Sequence, residues 1–115
     1  MARPVGPYSP FVRGGGLVFT AGQVGIADGS LVEGGFEAQL RQTFANLRNV
    51  LESAGRSLDD VVKTTVFLVD IDDYPEMNRV YVDEMGDHRP ARSAVAVARL
   101  PLGALVEIEA VALDA

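Results

Sequence analysis

The sequence predicts a two-layer α+β sandwich, a mixed sheet with two helices on one face. Three observations point to it. Apolar residues recur at helical spacing in two separate stretches, one on each side of the strand-like run Val61 to Val69. That run is rich in β-branched residues, which suit a pleated surface. Shorter strand signals flank the helices, giving the order hairpin, helix, strand, helix, strand, strand, a two-layer pattern.

Each element has its own warrant. Pro4, Gly6, Pro7 and Pro10 keep the first ten residues extended or turned. Phe11 to Arg13 and Leu17 to Thr20 can pair as a hairpin around Gly14-Gly15-Gly16. Ala27 to Gly35 reads as a loop with an Asp28-Gly29 turn. From Phe36 to Ala54, the residues Phe36, Leu40, Phe44, Leu47, Leu51 and Ala54 fall on one helical stripe. Glu37, Arg41, Arg48 and Glu52 lie off it, and Gly55 suits the position just past the helix end. Ser57 to Asp60 reads as a short capped turn before the strand Val61 to Val69. The second helix opens at Asp73 with Glu76 three residues on, a capping-box-like pair, and Pro75 sits harmlessly in its first turn. Met77, Val80, Tyr81 and Met85 form its apolar stripe, and Gly86 ends it. Arg92 to Ala98 and Leu105 to Leu113 complete the strands.

Counting faces yields an expectation about assembly. Val62, Val66 and Leu68 leave one side of the central strand, and Val61, Phe67 and Val69 leave the other. Both sides are apolar, yet two helices cover only one face of such a sheet. A bare face this size exceeds the roughly 300–600 Å² patch of an ordinary monomer. It is expected to pack against further copies of the chain.

Composition narrows the function classes. The 115 residues make one domain, 1–115, without repeats or an internal linker. There is no cysteine, which excludes disulfides, thiolate metal sites and a cysteine nucleophile, and fits a cytoplasmic setting. A net charge of −6 opposes general nucleic-acid binding. The opening Met1-Ala2-Arg3-Pro4 lacks the apolar core of a signal peptide, and no apolar run approaches the ~20 residues of a membrane span.

The chemistry-bearing candidates are few. Arg92 stands in Arg89-Pro90-Ala91-Arg92-Ser93, at the mouth of an apolar strand. It is either an ordinary rim arginine or a bidentate grip for a carboxylate. Ala94, Ala96 and Ala98 share its strand face and leave room for a close helix or for a ligand. Glu107 and Glu109 leave one face of the last strand, as a solvated pair or as a base that positions water. Tyr8, in a loop after Gly6-Pro7, reads as a packed lid or a ligand contact. Asn78 lies between core positions of the second helix, where it is exposed and idle or holds a specific hydrogen bond. His88, without a cluster around it, reads as a surface-loop residue rather than a metal ligand. The glycines 14–16 lack the following helix and lysine of a phosphate cradle.

Together these segments resemble the reactive intermediate deaminase (Rid, YjgF) family over essentially the whole chain. The resemblance rests on Gly6-Pro7-Tyr8-Ser9, Phe19-Thr20-Ala21-Gly22-Gln23, Asn46-Leu47 with Val50-Leu51, and Val62-Lys63-Thr64-Thr65-Val66-Phe67. It continues through Asn78 with Tyr81, Pro90-Ala91-Arg92-Ser93, Leu100-Pro101, and Val106-Glu107-Ile108-Glu109-Ala110. It implies a chorismate-mutase-like subunit and a homotrimer whose sheets line an inner β-barrel, with ligand sites in the intersubunit clefts. It also implies hydrolysis of reactive 2-imino or 2-enamino acids, of the 2-aminoacrylate type, to 2-keto acids and ammonia, without metal or cofactor. Carried over by position, Arg92 holds the substrate carboxylate and Glu107 orients the attacking water. Tyr8 and Asn78 line the cleft, and Gly22 lets the backbone approach the ligand. Two departures stand out: Ala21 and Ala94 occupy substrate-lining positions where relatives often carry serine and cysteine. Their loss makes the pocket roomier and suggests bulkier imino acids. A non-catalytic trimer that binds or senses small carboxylates is the alternative that the two alanines favour. An endoribonuclease is a further alternative, opposed by the acidic charge and the lack of a histidine pair.

Overall fold

The structure, a computed structural model, describes residues 6–115. Pro4 and the signal-peptide reading of the first residues fall outside the described residues. β1 (Phe11–Gly14) and β2 (Leu17–Thr20) form an antiparallel hairpin; β3 (Ile26–Ala27) and β4 (Ser30–Leu31) form a second, much smaller one. Then come α1 (Phe36–Ser53), β5 (Val61–Leu68), α2 (Tyr74–Met85), β6 (Ala91–Ala96) and β7 (Val106–Leu113). The main sheet runs β1-β2-β7-β5-β6. Its pairs are antiparallel except β5–β6, which is parallel. A parallel pair needs a crossover, and α2 supplies it. The predicted α+β class holds: the sheet is mixed, and both helices share one core with a single sheet face.

Both predicted helical stripes are buried, from Phe36 to Ala54 and from Met77 to Met85. Phe44 meets Tyr81 edge-on with ring centroids 5.6 Å apart. The Tyr81 hydroxyl is satisfied inside the core by Thr64 Oγ1 at 2.7 Å. One buried polar side chain ties a loop to α1, with Gln39 Oε1 accepting from Leu105 N–H at 2.9 Å; a second, Thr43 Oγ1, is satisfied within the helix by the Gln39 carbonyl at 2.8 Å. Asn46 Nδ2, part-buried, donates to the carbonyls of Val24 and Ile26, both at 2.9 Å, and so pins the chain beside β3.

The structure departs from the sequence reading at four places. Val62 was expected beside Val66 and Leu68, but it is 40% exposed, while Val61 is 1% exposed. A bulge between Val61 and Lys63 inserts one residue and inverts the alternation there. β6 stops at Ala96, so Ala98 shares no strand face with Arg92. Its partner β5 has ended at Leu68, whose carbonyl takes the last bond from Val97 N–H at 2.7 Å. Asp73 makes no side-chain cap, because it enters α2 with helical backbone angles from a 3₁₀ turn, Ile71–Asp73. Burial and its neighbours Asp70, Glu76 and Asp72 push its carboxyl up, the opposite of what a capping bond does. The 27–35 loop contains β4, because Asp28 (φ 54°) and Gly29 (φ 87°) form the paired left-handed turn that closes a tight hairpin.

Charged side chains fix α2 against α1. Arg41 reaches Glu37 at 2.9 Å, Glu84 at 2.9 Å and Asp83 at 3.1 Å. Arg48 pairs with Glu84 and Arg79 with Glu37, each at 2.8 Å. Single exposed pairs contribute little, but this network sets the helix register. The Arg41 and Arg79 guanidiniums hold the Glu37 carboxyl below its ordinary range. That contribution to stability is therefore present at neutral pH and is lost as pH falls through the depressed pKa.

The other sheet face carries no helix. Val12, Phe19, Val95 and Leu113 are exposed there, with Phe67, Glu107 and Glu109 between them. Phe44 is the largest fully buried side chain. Phe44→Ala is expected to cost about 3–5 kcal/mol, the cost of an unfilled core cavity. Urea unfolding followed by circular dichroism measures it, and a loss under about 1 kcal/mol contradicts this packing.

Candidate active site

The sequence-predicted site residues fall into two groups, on opposite faces of the sheet. The first surrounds Arg92 on the helix side. Arg92 pairs in register with Thr64, which points into the core against Tyr81. Its guanidinium carbon lies 4.8 Å from the Tyr81 ring centroid and 5.5 Å from that of Tyr74. Nη2 donates to Tyr74 Oη at 3.0 Å, and Nη1 approaches Met77 Sδ at 3.6 Å. Arg13, Arg41, Arg48, Arg56 and Arg79 each have a carboxylate partner. Among the described residues Arg89, Arg92 and Arg99 have none, and of these three Arg92 alone is half-buried rather than exposed. A half-buried cation held only by rings, a hydroxyl and a thioether keeps its charge available for an anion.

Ala94 is half-buried beside it and lines an open groove with Ile71, Asp72, Tyr74 and Pro75. Asn78 lies one turn after Tyr74 on α2, so the two share a helix side. Its Oδ1 is buried without a hydrogen-bond partner among the described residues. Such an acceptor costs roughly 1–3 kcal/mol until a donor reaches it. Tyr74 was not singled out from the sequence, although its spacing from Asn78 was a usable signal.

The second group surrounds Glu107 on the bare face. Glu107 pairs in register with Phe67, which has opposite parity to Thr64. The Gly22 backbone lies directly under its carboxylate. A Cβ at Gly22 would stand 2.2 Å from Glu107 Oε2. The glycine is thus needed for Glu107 to lie where it does, a constraint separate from the ligand approach expected from the sequence. The flanking backbone is clamped, with Ala21 N–H donating to Pro10 O at 2.8 Å. Gln23 exchanges backbone bonds with Ile108, at 2.8 and 3.0 Å. Ala21 is half-buried, and Tyr8, two residues before Pro10, is 47% exposed. Burial pushes the Glu107 carboxyl up, and Glu109 adds to the shift. Glu107 therefore holds its proton to a higher pH than an ordinary glutamate. Ionising it opposes folding as pH rises through the raised pKa.

Arg92 and Glu107 are two strands apart, roughly 10 Å across the sheet, and face away from each other. His88 belongs to neither group. It is half-buried, and its Nε2 lies 2.6 Å from the Val61 carbonyl at the bulge. A carbonyl only accepts, so that nitrogen carries the proton. Among the described residues no cluster of histidine, aspartate and glutamate has metal-binding geometry, and no helix is long and apolar enough to cross a membrane.

The sequence profile of the family described as Endoribonuclease L-PSP matches residues 1–114. The chain belongs to this family, the Rid (YjgF) family. A fission-yeast family relative, the mitochondrial protein mmf2, is 45% identical over 112 residues, covering 95% of this chain and 89% of that one. A mouse 2-iminobutanoate/2-iminopropanoate deaminase is 41% identical over 112 residues, covering 96% of this chain and 83% of that one. Among solved structures, RidA from an Antarctic Psychrobacter superposes with a TM-score of 0.92 at 43% identity. That match covers 96% of this Rid-family chain and 90% of the other.

Gly22→Ala tests the second group. The colliding atoms end a flexible side chain, so the fold should survive with a loss under about 1.5 kcal/mol, while the Glu107 carboxylate is displaced. Any activity that depends on Glu107 should then fall as far as in Glu107→Ala. Activity of Gly22→Ala equal to that of the native protein contradicts the placement.

Proposed function

We propose that this chain hydrolyses small 2-imino and 2-enamino acids to 2-keto acids and ammonia, in sites assembled between the copies of a homotrimer. One observation carries the reading. Arg92, without a carboxylate partner, and Glu107, with a raised pKa, face away from each other in one chain. A small substrate touches both only if one copy supplies Arg92 with Asn78 and Ala94, and the next supplies Glu107 with Gly22, Ala21 and Tyr8. The exposed apolar face carrying Phe19, Val95 and Leu113 supplies a surface for such an assembly, its sheets turned inward as a barrel. The name of the mouse relative supports the chemistry.

The steps are simple. Arg92 binds the substrate carboxylate through two parallel N–H···O bonds. The unpaired Asn78 oxygen accepts from the imine nitrogen. Glu107, as the carboxylate, takes a proton from water, and the hydroxide equivalent adds to the iminium carbon. Glu107 returns the proton to the nitrogen of the tetrahedral carbinolamine, and the C–N bond breaks as the C=O bond forms. The hydroxyl proton passes to the departing ammonia, leaving the 2-keto acid and ammonium; an enamino acid enters the same steps after tautomerising to its imine. The iminium carbon is already electrophilic, so fixed geometry is the main contribution. A base whose pKa is raised toward the working pH is also better matched to the transfer. Ala94 and Ala21 leave space for a side chain bulkier than a methyl group.

A ribonuclease reading, suggested by the printed family description, has less support. The charge is −6, and the one histidine is committed to the Val61 carbonyl. The lack of cysteine is in keeping with the cytoplasm, although the fission-yeast relative is mitochondrial.

Arg92→Ala is expected to lower kcat/KM on such imines by at least about 100-fold, the scale of a lost charged anchor. Light scattering should still give the trimer mass. Retained activity in the variant, or a native protein without imine hydrolysis, overturns the reading.

A further inference from the structure

We propose that Tyr74 is a positioning residue for substrate binding, acting through Arg92. The inference rests on the deaminase reading and extends it to a residue that reading does not use. An arginine side chain that binds a carboxylate bidentately must present one edge of its planar guanidinium in a fixed plane. In this chain the plane is set from α2. Tyr74 Oη accepts one Nη2 hydrogen at 3.0 Å, and the Tyr74 ring lies 5.5 Å from the guanidinium carbon. Tyr81 faces the same carbon at 4.8 Å, but its hydroxyl is taken by Thr64 inside the core and is not available to Arg92. Met77 Sδ, at 3.6 Å from Nη1, is a weak acceptor. The Tyr74 hydroxyl is therefore the strong directional restraint on the guanidinium among the described residues. One hydrogen bond to Nη2 leaves its second hydrogen, one on Nη1 and the Nε–H for an anion.

The position of Tyr74 fits that task. Its side chain is 39% exposed and lines the groove with Ile71, Pro75 and Ala94. It opens α2, whose register the Arg41, Arg48 and Arg79 ion pairs fix on α1. The hydroxyl itself is not a core group, so its removal leaves the fold intact. What it changes is the conformational freedom of Arg92 before the ligand arrives. Immobilising one such side chain in advance is worth roughly three- to tenfold in affinity.

The test is Tyr74→Phe, which keeps the ring and removes the hydroxyl. Binding of 2-oxobutanoate is measured by calorimetry, and hydrolysis of the corresponding imine by ammonia release. The proposal expects Kd and KM to rise roughly three- to tenfold, with kcat within about twofold and Tm unchanged. It also expects the penalty to shrink to under about twofold in an Arg92→Lys background, since an ammonium has no plane to orient. Unchanged Kd and KM in Tyr74→Phe overturn the proposal and leave the deaminase reading standing. An undiminished penalty in the Arg92→Lys background also overturns it, because the hydroxyl then acts independently of the guanidinium. A native protein that neither binds the keto acid nor hydrolyses the imine overturns the proposal together with the deaminase reading.

Discussion

Successive side chains of a strand leave opposite faces of its sheet, and here only one face is covered by helices. The rest of the structure follows from that constraint. Along β5, β6 and β7 it sends Thr64, Val66, Arg92, Ala94, Val106 and Ile108 toward α1 and α2. It sends Phe67, Val95, Glu107 and Glu109 to the uncovered side. The bulge at Val61 breaks the alternation once: it buries Val61 on the same side as Thr64, Val66 and Leu68, while the strand beyond stays in register with β7. A site built from Arg92 and Glu107 cannot close on one face of one chain.

The two faces give the two residues different electrostatic settings. Arg92 sits over aromatic rings with neutral hydrogen-bond acceptors, which preserves its charge without neutralising it. Glu107 lies over a glycine backbone with Glu109 nearby, and both burial and that neighbour favour its protonated form. The helix side thus carries a cation with no carboxylate beside it, and the uncovered side carries a carboxyl held above its ordinary range. The second needs Gly22 because a single Cβ would displace the carboxylate, and the first needs α2 in register because Tyr74, Met77 and Tyr81 all come from it.

Much of this was legible in the sequence. Period 3.6 marked both buried helical stripes, and period 2 correctly placed Glu107 and Glu109 opposite Val106, Ile108 and Ala110. Arg92, Asn78, Ala94, Glu107, Gly22, Ala21 and Tyr8 were all nameable, but not their division between two faces. That depends on which sheet face the helices cover, and no single strand records it. The bulge was hidden because Val61 and Val62 are the same residue type, so the pattern reads the same with either one buried. Asp73 misled because its side chain has capping chemistry while its backbone conformation, set by the preceding 3₁₀ turn, does not permit a cap. Tyr74 was overlooked because its ring lies outside the core stripe, and the hydroxyl that matters is aimed at a residue 18 positions away.

The central claim is that each site draws Arg92 from one copy and Glu107 from another. Mixing tests it directly. Arg92→Ala and Glu107→Ala chains, each inactive alone, are unfolded together, refolded and assayed for imine hydrolysis. Random assembly into trimers puts an intact Arg92 opposite an intact Glu107 in about one site in four. The account predicts that activity returns to roughly that fraction of the native level. A refolded mixture that shows mixed trimers by mass but stays as inactive as its two components contradicts it.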